Sequence, residues 1–188
     1  VRVILPNYRV IDAYWKNRME HVCDFTVLFG WETVYCGIKR VVDNDVTYYF
    51  VDNETYFGVS EIYGDGTSEG LRFAFFCRAV LETLPQIDFM PDVMHLNDWQ
   101  TGLIAALLKT QYTAKAEYTR IHTVFSIHNL KYQGVFSWRE IASRLGLDDR
   151  YFTYEYLEFY GCISCMKGGL VFADRLCTVS PTYAEEIK

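Results

Sequence analysis

The sequence predicts an α/β protein, a parallel sheet with helices on both faces and a small antiparallel β insertion. Three observations carry this. From Asp92 onward, short apolar runs alternate with helical spacings three times, as parallel strands with right-handed crossovers require. Residues 25–51 are rich in Val, Tyr, Phe and Thr and are broken by turn residues, the pattern of short antiparallel strands. Phe73, Phe76, Cys77, Val80, Leu81 and Leu84 recur at helical spacing between the two.

Taken in order, residues 2–5 read as a strand already under way that leaves through Pro6-Asn7-Tyr8. A mature chain rarely opens inside a strand, so a piece of a longer protein is expected. Residues 25–29, 32–38 and 46–51 are the antiparallel strands, turning at Gly30-Trp31 and Asp43-Asn44-Asp45. His21 falls in a polar stretch of helical character. Gly64-Asp65-Gly66 breaks the chain, and Ser68 is placed to cap the helix that ends at Pro85. The strand 92–96 follows, then a helix over 99–109 whose apolar face is Leu103, Ile104, Leu107 and Leu108. A strand at 123–127, a long aromatic loop, a helix over 164–173 and a strand at 176–179 complete the pattern. Ser180-Pro181 starts a last helix, with Ser as cap and Pro at the first helical position.

The chain has 188 residues, enough to bury a sizeable core as one domain. Half of it is hydrophobic and 17% aromatic, which excludes a disordered linker. The net charge of −6 comes without a basic block, which argues against a nucleic-acid partner. No apolar run approaches the roughly 18–20 residues that cross a bilayer, and the first residues do not resemble a signal peptide. A soluble, cytoplasmic protein with no membrane partner is expected. Of six cysteines, Cys162 and Cys165 form a C-x-x-C, but no second pair follows at zinc spacing. Buried free thiols in a reducing compartment fit better.

Ligands of open α/β sheets bind beyond the C-terminal ends of the strands. Two such ends are polar: Asn97-Asp98-Trp99-Gln100 after the strand 92–96, and His128-Asn129 after the strand 123–127. Belonging to neighbouring βα units, they can converge on one cleft. Asp98 has two readings, a helix cap serving free N–H groups or a ligand-binding carboxylate. His95, inside a strand, reads as a core histidine with a satisfied ring. His128 precedes a loop, Asn129-Leu130-Lys131-Tyr132-Gln133-Gly134, whose polar residues suit binding more than mere connection. Lys167-Gly168-Gly169 lacks the spacing of a phosphate loop. Its glycines are expected to allow close helix–sheet packing.

At these residues the sequence resembles the bacterial glycogen synthases and plant starch synthases, almost end to end. Pro91-Asp92-Val93-Met94-His95-Leu96-Asn97-Asp98-Trp99 is similar to one family block, Val124 through Gly134 to a second, and Lys167 through Ile187 to a third. Arg72-Phe73-Ala74 is similar to a fourth, and residues 2–6 to the family's second strand. The resemblance implies residues 1–188 as an incomplete N-terminal Rossmann-like domain of a two-domain (GT-B) glycosyltransferase. It further implies transfer of glucose from ADP-glucose to the non-reducing end of an α-1,4-glucan, with retention and without a metal or other cofactor.

By the same carry-over His128 and Asp98 are the catalytic candidates, with Asn129, Tyr132, Gln133 and Gln100 binding substrate. Gln100 stands where the family's pattern has histidine; an amide still hydrogen-bonds sugar but carries no proton charge. A histidine and a carboxylate can hold sugar hydroxyls and favour oxocarbenium character, while cations elsewhere take the leaving diphosphate. No glycosidase-like carboxylate pair is evident. The family's K-x-G-G-L-x-D loop and its second domain, with the diphosphate-binding arginine and lysine, lie outside the sequence. These residues alone are therefore expected to be inactive. The alternatives are a related glycosyltransferase with another nucleotide-sugar donor, or a non-catalytic carbohydrate-binding module built on exposed aromatics. Oligomeric state is not legible.

Overall fold

The computed structural model describes residues 1–64 and 66–188, so Asp65 of the glycine-flanked break lies outside the described residues. The chain divides into two units, Val1–Phe89 and Met90–Lys188.

In the first unit β1 (Arg2–Pro6) and the one-turn helix α1 (Ala13–Lys16) precede three strands, β2 (Glu20–Phe29), β3 (Glu32–Asp43) and β4 (Val46–Asp52). The sheet order is β1-β4-β3-β2, with β1 parallel to β4 and the other pairs antiparallel. Tight turns make the hairpins: Gly30 at φ 71° in the first, Asn44 and Asp45 at φ 47° and 62° in the second. The strands are longer than residue composition suggests, and His21 lies in β2 opposite Lys39 rather than in a helical stretch. Strand alternation explains it, since Val27 and Phe29 are buried at period two and extend the same face back through Phe25 and Cys23.

A short helix α2 (Glu54–Phe57) leads to α3 (Gly66–Gln86), where Phe75 meets Phe29 edge-on at 5.7 Å. Ser68 is inside α3 rather than at its cap, because the helix already begins at Gly66, whose φ of 61° lets the chain turn in. Pro85 sits within its last turn.

The second unit opens with β5 (Val93–Asn97), α4 (Trp99–Thr110) and β6 (His122–Ile127). The chain continues through β7 (Val135–Phe136), α5 (Trp138–Leu145), a 3-10 turn, β8 (Glu158–Phe159) and β9 (Cys162–Ser164). It closes with α6 (Cys165–Phe172), β10 (Arg175–Thr178) and α7 (Pro181–Glu186). Parallel strands in the order β10-β6-β5 form its main sheet, and β7-β9-β8 form a small antiparallel one.

Along β5, Met94 and Leu96 are buried while Val93, His95 and Asn97 are exposed. His95 is therefore no core residue; its Nε2 lies 2.5 Å from Ser126 Oγ, on the open face of the sheet. The glycines of α6 serve packing, as their spacing implies. A Cβ on Gly169 would run into the Phe125 ring of β6, and one on Gly168 would come within 2.9 Å of the Gly102 carbonyl oxygen of α4. All six cysteines are free, with Cys36, Cys77 and Cys165 buried but Cys177 exposed at the sheet edge.

One carboxylate ties the start of this sheet together. Asp174 accepts the Thr123 N–H at 2.7 Å and its hydroxyl at 3.0 Å, and pairs with Lys109 of α4 at 2.7 Å. Burial raises its pKa, but the bonds from Lys109 and Thr123 outweigh that and hold it at about 2.

Candidate active site

Asp98 joins β5 to α4 at φ 55°, ψ −176°, a conformation that costs a residue with a Cβ on the order of 1–3 kcal/mol. The strain has a visible return. Asp98 occupies the N-cap position of α4, yet its side chain makes no cap hydrogen bond. Its Oδ1 instead accepts the backbone N–H groups of His128 at 2.8 Å and Asn129 at 3.4 Å. The capping reading of Asp98 gives way to a carboxylate that stitches the exits of two adjacent strands.

His128 follows the last residue of β6 and is exposed. Its Nε2 lies 3.0 Å from Asn97 Oδ1. An amide oxygen only accepts, so Nε2 donates and the ring is oriented by the last residue of β5. Nδ1 has no partner among the described residues. The sequence places Asn97 at a polar strand end but assigns it no role. Its signal was present, since alternation along β5 puts it on the open face beside Asp98.

The loop after His128 is held from several sides. Asn129 Oδ1 accepts the Lys131 N–H at 3.0 Å, a local Asx turn. The Leu130 N–H donates to the Tyr183 hydroxyl of α7 at 2.8 Å. Ser180 caps α7 by accepting the Tyr183 N–H, so the start signal at Ser180-Pro181 positions a loop anchor.

Gln133 turns inward. Its Nε2 donates to the Leu130 carbonyl at 2.5 Å, and Ser164 Oγ donates to its backbone carbonyl at 3.2 Å. Gly134, at φ 58°, lies so close to Trp99 that a Cβ would enter the indole ring. Tyr132 stands 60% exposed on the same loop, and Gln100 is half-buried in the first turn of α4.

The structure thus brings Asp98, His128 and Asn129 together, with Asn97 as an addition. Tyr132 lies on the open side of the loop and Gln133 within its support. Lys167 is committed elsewhere, donating to the Tyr154 and Glu158 carbonyls at 2.5 and 2.8 Å. Among the described residues no group of His, Cys, Asp and Glu could hold a metal ion. The cluster offers a carboxylate, an oriented imidazole and side-chain amides at parallel strand ends, a set suited to the hydroxyls of a neutral ligand.

Fold and site together define an α/β domain of the Rossmann-like kind, with a polar cluster at the carboxyl ends of its parallel strands. The family model of the starch synthase catalytic domain matches residues 1–188, and the chain belongs to that family. It is 50% identical over 187 residues to the glycogen synthase of Geobacillus thermodenitrificans, covering 100% of this chain and 38% of that one. To the glycogen synthase of Anoxybacillus flavithermus it is 48% identical over 188 residues, covering 39% of that protein. The catalytic domain of starch synthase IV from Arabidopsis thaliana, bound to ADP and acarbose, superposes with a TM-score of 0.88 at 28% identity. That match covers 100% of this chain and 39% of the plant one. The chain spans about two fifths of the length of the relatives it matches.

Proposed function

We propose that this chain supplies one wall of the cleft in which glucose passes from ADP-glucose to the non-reducing end of an α-1,4-glucan, with retention of configuration. The observation that carries the reading is the Asn97–His128–Asp98 cluster, in which Asn97 Oδ1 orients an exposed imidazole and Asp98 Oδ1 holds its backbone N–H at the strand ends. Support comes from the glycogen synthase relatives and from a solved starch synthase neighbour whose ligands are ADP and acarbose. In this reading His128 touches the donor glucose near its reacting carbon. Asp98 fixes the loop that presents it and adds negative charge where positive charge develops. Asn129 and Tyr132 contact sugar hydroxyls, and Gln100 and Gln133 complete and brace the pocket. No metal or other cofactor enters. The groups that neutralise the departing diphosphate come from outside residues 1–188, so these residues alone turn nothing over. The setting is the bacterial cytoplasm.

The test supplies the full-length protein with labelled ADP-glucose and glycogen. Label should enter polymer that α-1,4-specific hydrolases release, and the 188-residue chain should incorporate none. Incorporation from UDP-glucose in preference to ADP-glucose would replace the donor, and no incorporation from either would overturn the reading.

A further inference from the structure

Strand β6 runs between β10 and β5, and the backbone leaving its end is held from both neighbours. From the β5 side, Asp98 Oδ1 accepts the N–H groups of His128 and Asn129. From the β10 side come two hydroxyls. Thr178 Oγ1 donates to the Ile127 carbonyl at 2.6 Å, one residue before His128. The Tyr183 hydroxyl accepts the Leu130 N–H at 2.8 Å, two residues after it. Side chains of the two flanking βα units thus take up the backbone groups on either side of His128.

The two hydroxyls do different things. Thr178 and Ile127 are already partners in the parallel ladder, so the Thr178 bond reinforces a register that the strands set without it. Tyr183 reaches beyond the strands. Inside the loop, Asn129 accepts the Lys131 N–H through its side chain at 3.0 Å and the Tyr132 N–H through its carbonyl at 3.3 Å. Local bonds of this kind shape a turn but do not fix where it stands. The Leu130–Tyr183 bond does, because it ties the middle of that turn to another element. Tyr183 is itself fixed, since Ser180 Oγ accepts its N–H at 3.1 Å and Pro181 sets the first turn of α7.

We infer that Tyr183 is a positioning residue for the transfer reaction, its hydroxyl holding the His128 loop from the β10 side while Asp98 holds it from the β5 side. It touches no substrate and acts through His128, whose ring Asn97 orients. The inference rests on the function proposed above. Its physical basis is the steep dependence of a reaction on placement, where a displacement of about 1 Å costs up to a hundredfold in rate.

The test uses the full-length protein and Tyr183→Phe, which keeps the ring and removes only the acceptor. Turnover number for ADP-glucose-dependent glucan extension should fall about five- to tenfold, the equivalent of one hydrogen bond. The KM values for ADP-glucose and glycogen should stay within about twofold, as for a group that acts only in the transition state. In a His128→Ala background the same substitution should have no further effect, because nothing is left to position. Amide exchange of residues 128–134, followed by mass spectrometry, should quicken about tenfold in Tyr183→Phe while residues 122–127 keep their protection. Unchanged kcat in the active protein would overturn the inference, as would a change confined to KM or an equal loss of kcat with and without His128. A full-length protein that turns nothing over, yet shows faster exchange of residues 128–134 in Tyr183→Phe, would overturn the proposed reaction and leave the hold of Tyr183 on the loop standing.

Discussion

Asp98 Oδ1 accepts the backbone N–H of His128 at 2.8 Å, so the residue at the start of α4 sets the direction taken by the chain leaving β6. The carboxylate reaches that N–H because Asp98 adopts φ 55° and turns away from its own helix. This separates strain from stability in a testable way. Asp98→Gly accepts the same backbone without strain but loses the carboxylate. In the full-length protein it should lower kcat about a hundredfold, as loss of one organising electrostatic group does. The melting temperature should stay within about 4 °C, because relief of strain offsets the lost bonds. A large fall in stability would mean that the bond to His128 is structural.

Asn97 acts through His128. Asn97→Ala removes the hydrogen bond that orients the ring and should lower kcat about tenfold, the equivalent of one hydrogen bond. Asn97→Asp keeps an acceptor and should restore turnover, with an altered pH profile because a new carboxylate then faces the imidazole. A profile identical to the native one, with full activity in both variants, would remove Asn97 from the site.

How much was legible differs between fold and site. The α/β class, the parallel strands and the placing of Asp98 and His128 at neighbouring strand ends followed from periodicity and turn residues. One sequence does not say which face of a parallel strand is covered, so His95 reads as a core residue; the structure leaves Val93, His95 and Asn97 exposed. Polar neighbours of His21 mask the alternation of Cys23, Phe25, Val27 and Phe29 that carries it into a strand. The role of Asp98 was not separable from capping, since both readings put the same residue at the same position. Only its φ and hydrogen bonds decide.

Gly134 tests how firmly the loop is fixed. Its φ of 58° disfavours a side chain, and a Cβ would enter the Trp99 ring. Gly134→Ala should destabilise the chain by about 2–4 kcal/mol, combining a backbone and an overpacking cost. Urea unfolding of the 188-residue chain measures it directly. A change under about 0.5 kcal/mol would show that the loop yields easily.

Asp174 predicts an acid dependence. Its pKa is about 2 in the folded chain against an ordinary value of 3.8. A depressed carboxylate pKa contributes stability that is complete above the unfolded value and is lost as pH falls toward the folded one. Unfolding free energy should therefore decline between about pH 5 and pH 2, and Asp174→Asn should flatten part of that slope. An equal slope in the variant would assign acid sensitivity to other groups.

The claim on which the rest depends is that His128, oriented by Asn97 and carried on a loop held by Asp98, meets the donor glucose. The kcat for ADP-glucose-dependent glucan extension should be compared between the full-length protein and its His128→Ala variant, with melting temperatures measured alongside. A fall of about a hundredfold or more at an unchanged melting temperature is the expected result. Near-native turnover by the variant would contradict it.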